Sequence, residues 1–132
     1  MLWKTRTLWR ALALFVVSAS FAAPALCKDP KANFPSQLRG VWELGFEPCK
    51  LPGNHDSDGR IEIKADVLEA YEDHSVPLKI VRVSSSPLAW RITYLLHIDE
   101  SIEKSSAIYA LNGSHTLTIV DKSKPSIYSR CT

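Results

Sequence analysis

From residue 38 onward, apolar side chains recur at every second position in short runs, and the runs are separated by turn signals. The alternation is clearest in Trp42, Leu44 and Phe46, in Ile61 and Ile63, in Trp90, Ile92, Tyr94, Leu96 and Ile98, and in Leu117 and Ile119. A period of two puts each set on one face of an extended strand, with Arg91, Thr93 and His97 on the opposite face of the longest. The pattern predicts strands over 38–46, 59–64, 67–73, 77–84, 88–99, 103–111, 115–121 and 126–131. Breaks fall at 48–58, 65–66, 74–76, 85–87, 112–114 and 122–125. Asn112-Gly113, between two alternating runs, is the strongest hairpin signal. Residues 99–104 hold the start of a helical turn, too short to change the class. Links this short exclude a βαβ sheet, because a parallel crossover needs about a dozen residues. A Greek key needs a long return, and the one long link, 47–58, separates only the first two strands. The expected fold is all-β: an antiparallel, up-and-down, eight-stranded small barrel.

Residues 1–25 read as a signal peptide. Lys4, Arg6 and Arg10 make a basic start, 11–21 form an uncharged, mostly apolar run, and Ala23-Pro24-Ala25 supplies a small-x-small cleavage pattern. The uncharged stretch from Ala11 to Leu26 is sixteen residues, short of the roughly 20 that span a bilayer. The expected organisation is a signal peptide over 1–25, an irregular N-terminal arm over 26–37 and a single β domain over 38–132. The mature chain is then secreted or periplasmic, with no transmembrane span. The whole chain carries +2, but beyond residue 25 there are 13 bases and 14 acids. That near-neutral balance excludes the basic stripe of a nucleic-acid binder. Hydrophobic residues at 45% exclude disorder.

Three cysteines, Cys27, Cys49 and Cys131, fit no zinc ribbon and no C-x-x-C redox pattern. In an exported domain a structural disulfide outweighs a catalytic thiol, and Cys49–Cys131 is the expected staple, leaving Cys27 outside it. Closing a loop of about 80 residues would constrain the unfolded chain by roughly 4 kcal/mol. Cys27 has a minor second reading. Bacterial lipoproteins place a small residue just before the lipidated Cys, whereas Pro24-Ala25-Leu26-Cys27 puts a bulky Leu there.

Leu38-Arg39-Gly40-Val41-Trp42 carries a G-x-W at the opening of the first strand, and Arg130 stands in the last. In this the chain resembles the lipocalins and related calycin barrels. The resemblance implies that Gly40, Trp42 and Arg130 form a barrel-end plug, with the arginine lying across the indole as a cation–π pair. It also implies that a ligand enters at the opposite, open end, so that Arg130 serves stability alone. The chain departs from that family in its short length and in lacking T-D-Y-x-x-Y; Asn112-Gly113-Ser114-His115 stands near that place. The order G-x-W, Cys49, Ser57-Asp58-Gly59-Arg60 and Cys131 is also similar to a group of small exported bacterial proteins of no known activity.

Chemistry-bearing strings are few. Asn54 to Gly59 has the Asp-x-Asp-Gly centre of a calcium loop, but an EF-hand's twelfth position falls on Ala65, so the string reads as a turn. Glu69, Glu72 and Asp73 gather acids near Tyr71 and His74, a pattern commoner at exposed edges than in acid–base pairs. His55, His74, His97 and His115 lack metal-ligand spacing and read as solvated. Ser84, Ser85 and Ser86 precede Pro87 as turn residues, and no G-x-S-x-G, P-loop or nucleotide fingerprint occurs. No enzyme, catalytic residue, metal or cofactor is expected. Phe46, Trp90 and Tyr94 belong to an aromatic face that either packs the core or lines a ligand cavity.

The expected role is binding of a small apolar ligand. The alternative is a protein-binding module, such as an inhibitor of an extracellular or envelope hydrolase, presenting the 47–58 loop. Export itself is measurable. The intact mass of the exported protein is expected to be that of residues 26–132, less two hydrogens per disulfide, and retention of Met1 would refute the signal-peptide reading.

Overall fold

The computed structural model describes residues 31–122 and 124–132. The expected signal peptide and Cys27 lie outside the described residues. A 3-10 turn at Ser36–Leu38 leads into eight antiparallel strands: β1 (Gly40–Leu44), β2 (Arg60–Ile63), β3 (Leu68–Glu69), β4 (Asp73–Ser85), β5 (Leu88–Ile98), β6 (Ser101–Asn112), β7 (Thr116–Asp121) and β8 (Lys124–Arg130). They close in sequence order into an up-and-down barrel, with β8 paired back onto β1 through Trp42–Arg130, Glu43–Ser129 and Leu44–Tyr128. Every strand is paired on both sides, although β4 meets the two-residue β3 only through His74 and Ser75.

Directly opposed residues share a face, so the register lays out the interior as rows across the strands. One row runs Leu88, Leu111, Leu117, Tyr128 and Leu44; the next runs Trp90, Tyr109, Ile119 and Ser126. Trp42, Ile63, Ile92 and Leu117 are wholly or almost wholly buried, and Trp90, Tyr94 and Tyr109 are nearly so. These aromatics therefore fill the barrel. Phe46 does not join them: it lies beyond the end of β1, 77% exposed. Gly45, whose N–H donates to the carbonyl of Ile127 at 2.8 Å, has φ +107 and turns the chain away before the alternation reaches Phe46.

Two strand expectations need correction. The break expected at 74–76 is strand: β4 starts at Asp73 and runs 13 residues. Its inward positions there are Ser75 and Pro77, which no apolar pattern reveals, yet Ser75 is buried opposite Leu68 and Leu96. Pro77 is tolerated because a bulge follows it, between Pro77 and Lys79. The helical turn expected at 99–104 is a tight hairpin instead. Ile98 pairs with Ser101, and Asp99 takes φ 50, a conformation Asp tolerates better than most residues.

The backbone of 31–37 has no strand, but it sends Phe34 into the core, and Leu38 follows it. Phe34 and Leu38 are wholly buried, and the Phe34 N–H donates to the Ala65 carbonyl at 2.7 Å, in the β2–β3 turn. The 45–59 link also folds in. Cys49 bridges in parallel to Cys131, Thr132 N–H donates to the Cys49 carbonyl at 3.0 Å, and Gly53 lies against Val41. The link thus packs against the outer face of β1, where Val41 is buried, with Phe46 and Leu51 exposed on it.

Cys49 and Cys131 are disulfide-bonded, with Cα atoms 4.3 Å apart and 82 positions between them in sequence. The bond fastens the covering link to the C-terminal strand, beside the β1–β8 seam. Cys49→Ser with Cys131→Ser is expected to lower unfolding free energy by about 2–4 kcal/mol, read from the denaturant midpoint. An unchanged midpoint would mean that backbone pairing alone holds the seam.

Candidate functional site

The end of the barrel at which β1 begins and β8 finishes is built around Trp42 and Arg130. The Arg130 guanidinium carbon lies 4.1 Å from the indole centroid, well inside cation–π range. Three backbone carbonyls hold it there: Nε donates to Ser114 at 2.8 Å, Nη1 to Arg39 at 2.7 Å and Nη2 to Gln37 at 2.6 Å. Trp42 is fixed in turn, its Nε1 donating to the Leu38 carbonyl at 2.9 Å. Arg130 therefore ties the 3-10 turn, β1 and the β6–β7 turn into one plug. Burial draws its pKa down from the usual arginine value.

Gly40 makes room for this. Its φ of +134 is one that side-chain-bearing residues rarely adopt, and a Cβ there would sit 2.9 Å from Arg130 Nη1. The G-x-W spacing thus has a local reason. Gly lets the strand start under the guanidinium, and two residues on the indole points the same way, into the barrel.

The plug also forms one wall of a cleft of about 810 Å³. Leu88 and Leu111 give it an apolar side, while Ser85, Ser86 and Pro87 of the β4–β5 turn and residues Asn112–His115 of the β6–β7 turn form its rim. In an up-and-down barrel these two turns necessarily emerge at the same end. His115 and Arg130 are shared with a smaller neighbouring recess of about 280 Å³ that Phe46 also lines. The cleft and the plug thus share an end, whereas the family resemblance implies a ligand mouth opposite the plug. Of the expected lining residues, Trp90 and Tyr94 are packed inside, and Phe46 reaches only the outer recess. Leu88, Leu111, Ser114 and His115 were missed, because membership of the cleft depends on which turns share an end.

The far end is different in chemistry. Asp73 begins β4 there, half-buried, and desolvation pushes its carboxyl above the usual range. A recess of about 510 Å³ beside it is lined by Glu69, Glu72 and Asp73 with Tyr71 and His74. Burial likewise raises the phenol pKa values of Tyr94, Tyr109 and Tyr128. On the outer face His74 and His97, paired across β4 and β5, stack with centroids 4.5 Å apart and planes 11° apart. Two histidines read as separate surface residues are thus brought together by a register that only the strand start at Asp73 reveals.

Ser85, Ser86 and His115 line one cleft, but no hydrogen bond joins them among the described residues, and no carboxylate stands in the lining. Among the described residues no group of three or more His, Cys, Asp or Glu side chains is placed to hold a metal ion. The Asn54–Gly59 string forms a turn, in which Asn54 Oδ1 accepts from Asp56 N–H at 3.0 Å and Ser57 Oγ accepts from Gly59 N–H at 3.2 Å. Comparison with models of known families, with curated proteins and with solved structures yields no match.

The plug's geometry is testable through its glycine. Gly40→Ala is expected to cost about 1–3 kcal/mol, from backbone strain and displacement of the guanidinium. In an Arg130→Ala background the same substitution should cost measurably less, since one of its two penalties is gone. Equal costs in both backgrounds would show that Gly40 is needed for its backbone alone.

Proposed function

We propose that this protein is an exported binding protein for a small, largely apolar molecule, held in the plug-end cleft rather than in the barrel interior. The carrying observation is the cleft itself: about 810 Å³, with an apolar side of Leu88 and Leu111 under a polar rim. Small-molecule sites have this size, roughly 300–1,000 Å³, and this mixture of apolar surface with a few convergent polar groups. The interior offers less, because Trp90 and Tyr94 are packed into the core there. The eight-stranded closed barrel and the Trp42–Arg130 contact support the lipocalin-like reading, and the Cys49–Cys131 disulfide supports an oxidising compartment outside the cytoplasm. The alternative, a protein-binding module, rested on a projecting 47–58 link. That link lies folded over β1.

Ser86 stands exposed on the rim at the β4–β5 turn, away from the core. Ser86→Trp should fill the cleft without disturbing the barrel. Wild-type protein is expected to bind the neutral apolar dye Nile red saturably with one-to-one stoichiometry, and Ser86→Trp to bind at least about tenfold more weakly, a loss of some 1.4 kcal/mol. Absence of saturable binding, or equal binding by both proteins, would overturn the reading.

A further inference from the structure

We propose that the ligand of the plug-end cleft is an amphiphile whose anionic headgroup, a carboxylate, is received by Arg130 while its apolar body lies on Leu88 and Leu111. This rests on the reading of the cleft as the binding site. Three of the five guanidinium N–H groups go to the carbonyls of Ser114, Arg39 and Gln37, all of them neutral acceptors. One N–H on each of Nη1 and Nη2 has no protein partner among the described residues, and no carboxylate there pairs with the charge. A carboxylate is acceptor-only and binds a guanidinium with charge-assisted hydrogen bonds, so it supplies both missing things at once.

The rest of the lining is selective in the same direction. It contains Arg130 and His115 but neither Asp nor Glu, so nothing repels an anion. Beyond the lining, the two ends of the barrel differ in charge. At the plug end Arg39 stands beside Arg130, and Asp66 is engaged by Lys31 at 3.2 Å. The β3–β4, β5–β6 and β7–β8 turns at the far end carry Glu72, Asp73, Asp99, Glu100 and Asp121 against Lys122 and Lys124, a net negative balance. A dipolar charge distribution of this kind orients an approaching anion toward the plug end. The guanidinium is also already immobilised by Trp42 and three carbonyls, so receiving a headgroup there loses little further side-chain freedom.

The test keeps the protein unaltered and changes the ligand. Wild-type protein is titrated with decanoate, methyl decanoate and decylamine by calorimetry, alongside Nile red. Decanoate is expected to bind at least tenfold more tightly than its methyl ester and to weaken as salt is raised, with decylamine weakest of the three. Ser86→Trp should abolish decanoate binding. Ester binding as tight as that of the acid, or decanoate binding that survives Ser86→Trp, would overturn the anionic headgroup at this site. Nile red binding without decanoate binding would overturn it too, leaving the cleft reading intact. Failure of Nile red as well would remove that reading with it.

Discussion

Arg130 over Trp42 is the contact on which closure, plug and cleft all depend. The first and last strands meet at this pair, so the barrel's seam runs through it. The three carbonyls that hold the guanidinium belong to Gln37 in the 3-10 turn, Arg39 just before β1 and Ser114 in the β6–β7 turn, so residues 37–39 and 114, far apart in sequence, meet on one side chain. A lysine could place a charge there but could not satisfy three acceptors while lying flat on an indole, because its donors radiate from one atom. The same contact dictates Gly40, since a Cβ would meet Nη1. One cation thus specifies four neighbourhoods. Its cost is a charge drawn partly out of water with no acid beside it.

The barrel is uneven, and this decides where a ligand can go. β4, β5 and β6 run 13, 11 and 12 residues, whereas β1, β2 and β3 run 5, 4 and 2. The tall wall carries Trp90, Ile92 and Tyr94 inward, and the short wall supplies too little height to leave a deep well beside them. Two irregularities in β4, after Pro77 and after Arg82, bend the wall over the interior. The near-zero solvent exposure of Trp42, Ile92 and Leu117 follows from that shape. At the plug end two turns stand up side by side from the rim, and the cleft lies against them.

The strand pattern was legible because half-buried antiparallel strands alternate, as β5 does through Trp90, Ile92 and Tyr94. Closure in sequence order was legible from link lengths, and the Cys49–Cys131 bond follows the same logic of first strand meeting last. β4 was misread at its start because its inward residues are Ser75 and Pro77, where packing against Leu68 and Leu96 overrides local propensity. Phe46 was misplaced because the alternation continues one step past the residue at which Gly45 ends the strand. The cleft was missed for a different reason. Its residues carry no motif, and only the parity of an up-and-down barrel brings residues 85–88 and 111–115 to one end.

That parity links the plug's structural role to the proposed ligand. Ser114, whose carbonyl accepts from Arg130 Nε, lies in the turn that forms the cleft's rim, so the plug positions the rim as well as the guanidinium. A headgroup received by Arg130 would be placed by groups already fixed in the unliganded fold, and binding need not reorganise the barrel. The consequence is a coupling in the other direction. Anything bound at Arg130 compensates a charge that closure leaves without an acid beside it, and by mass action it stabilises the closed barrel over the open one. A domain with its seam, its plug and its cleft sharing one cation has little means of binding without also tightening.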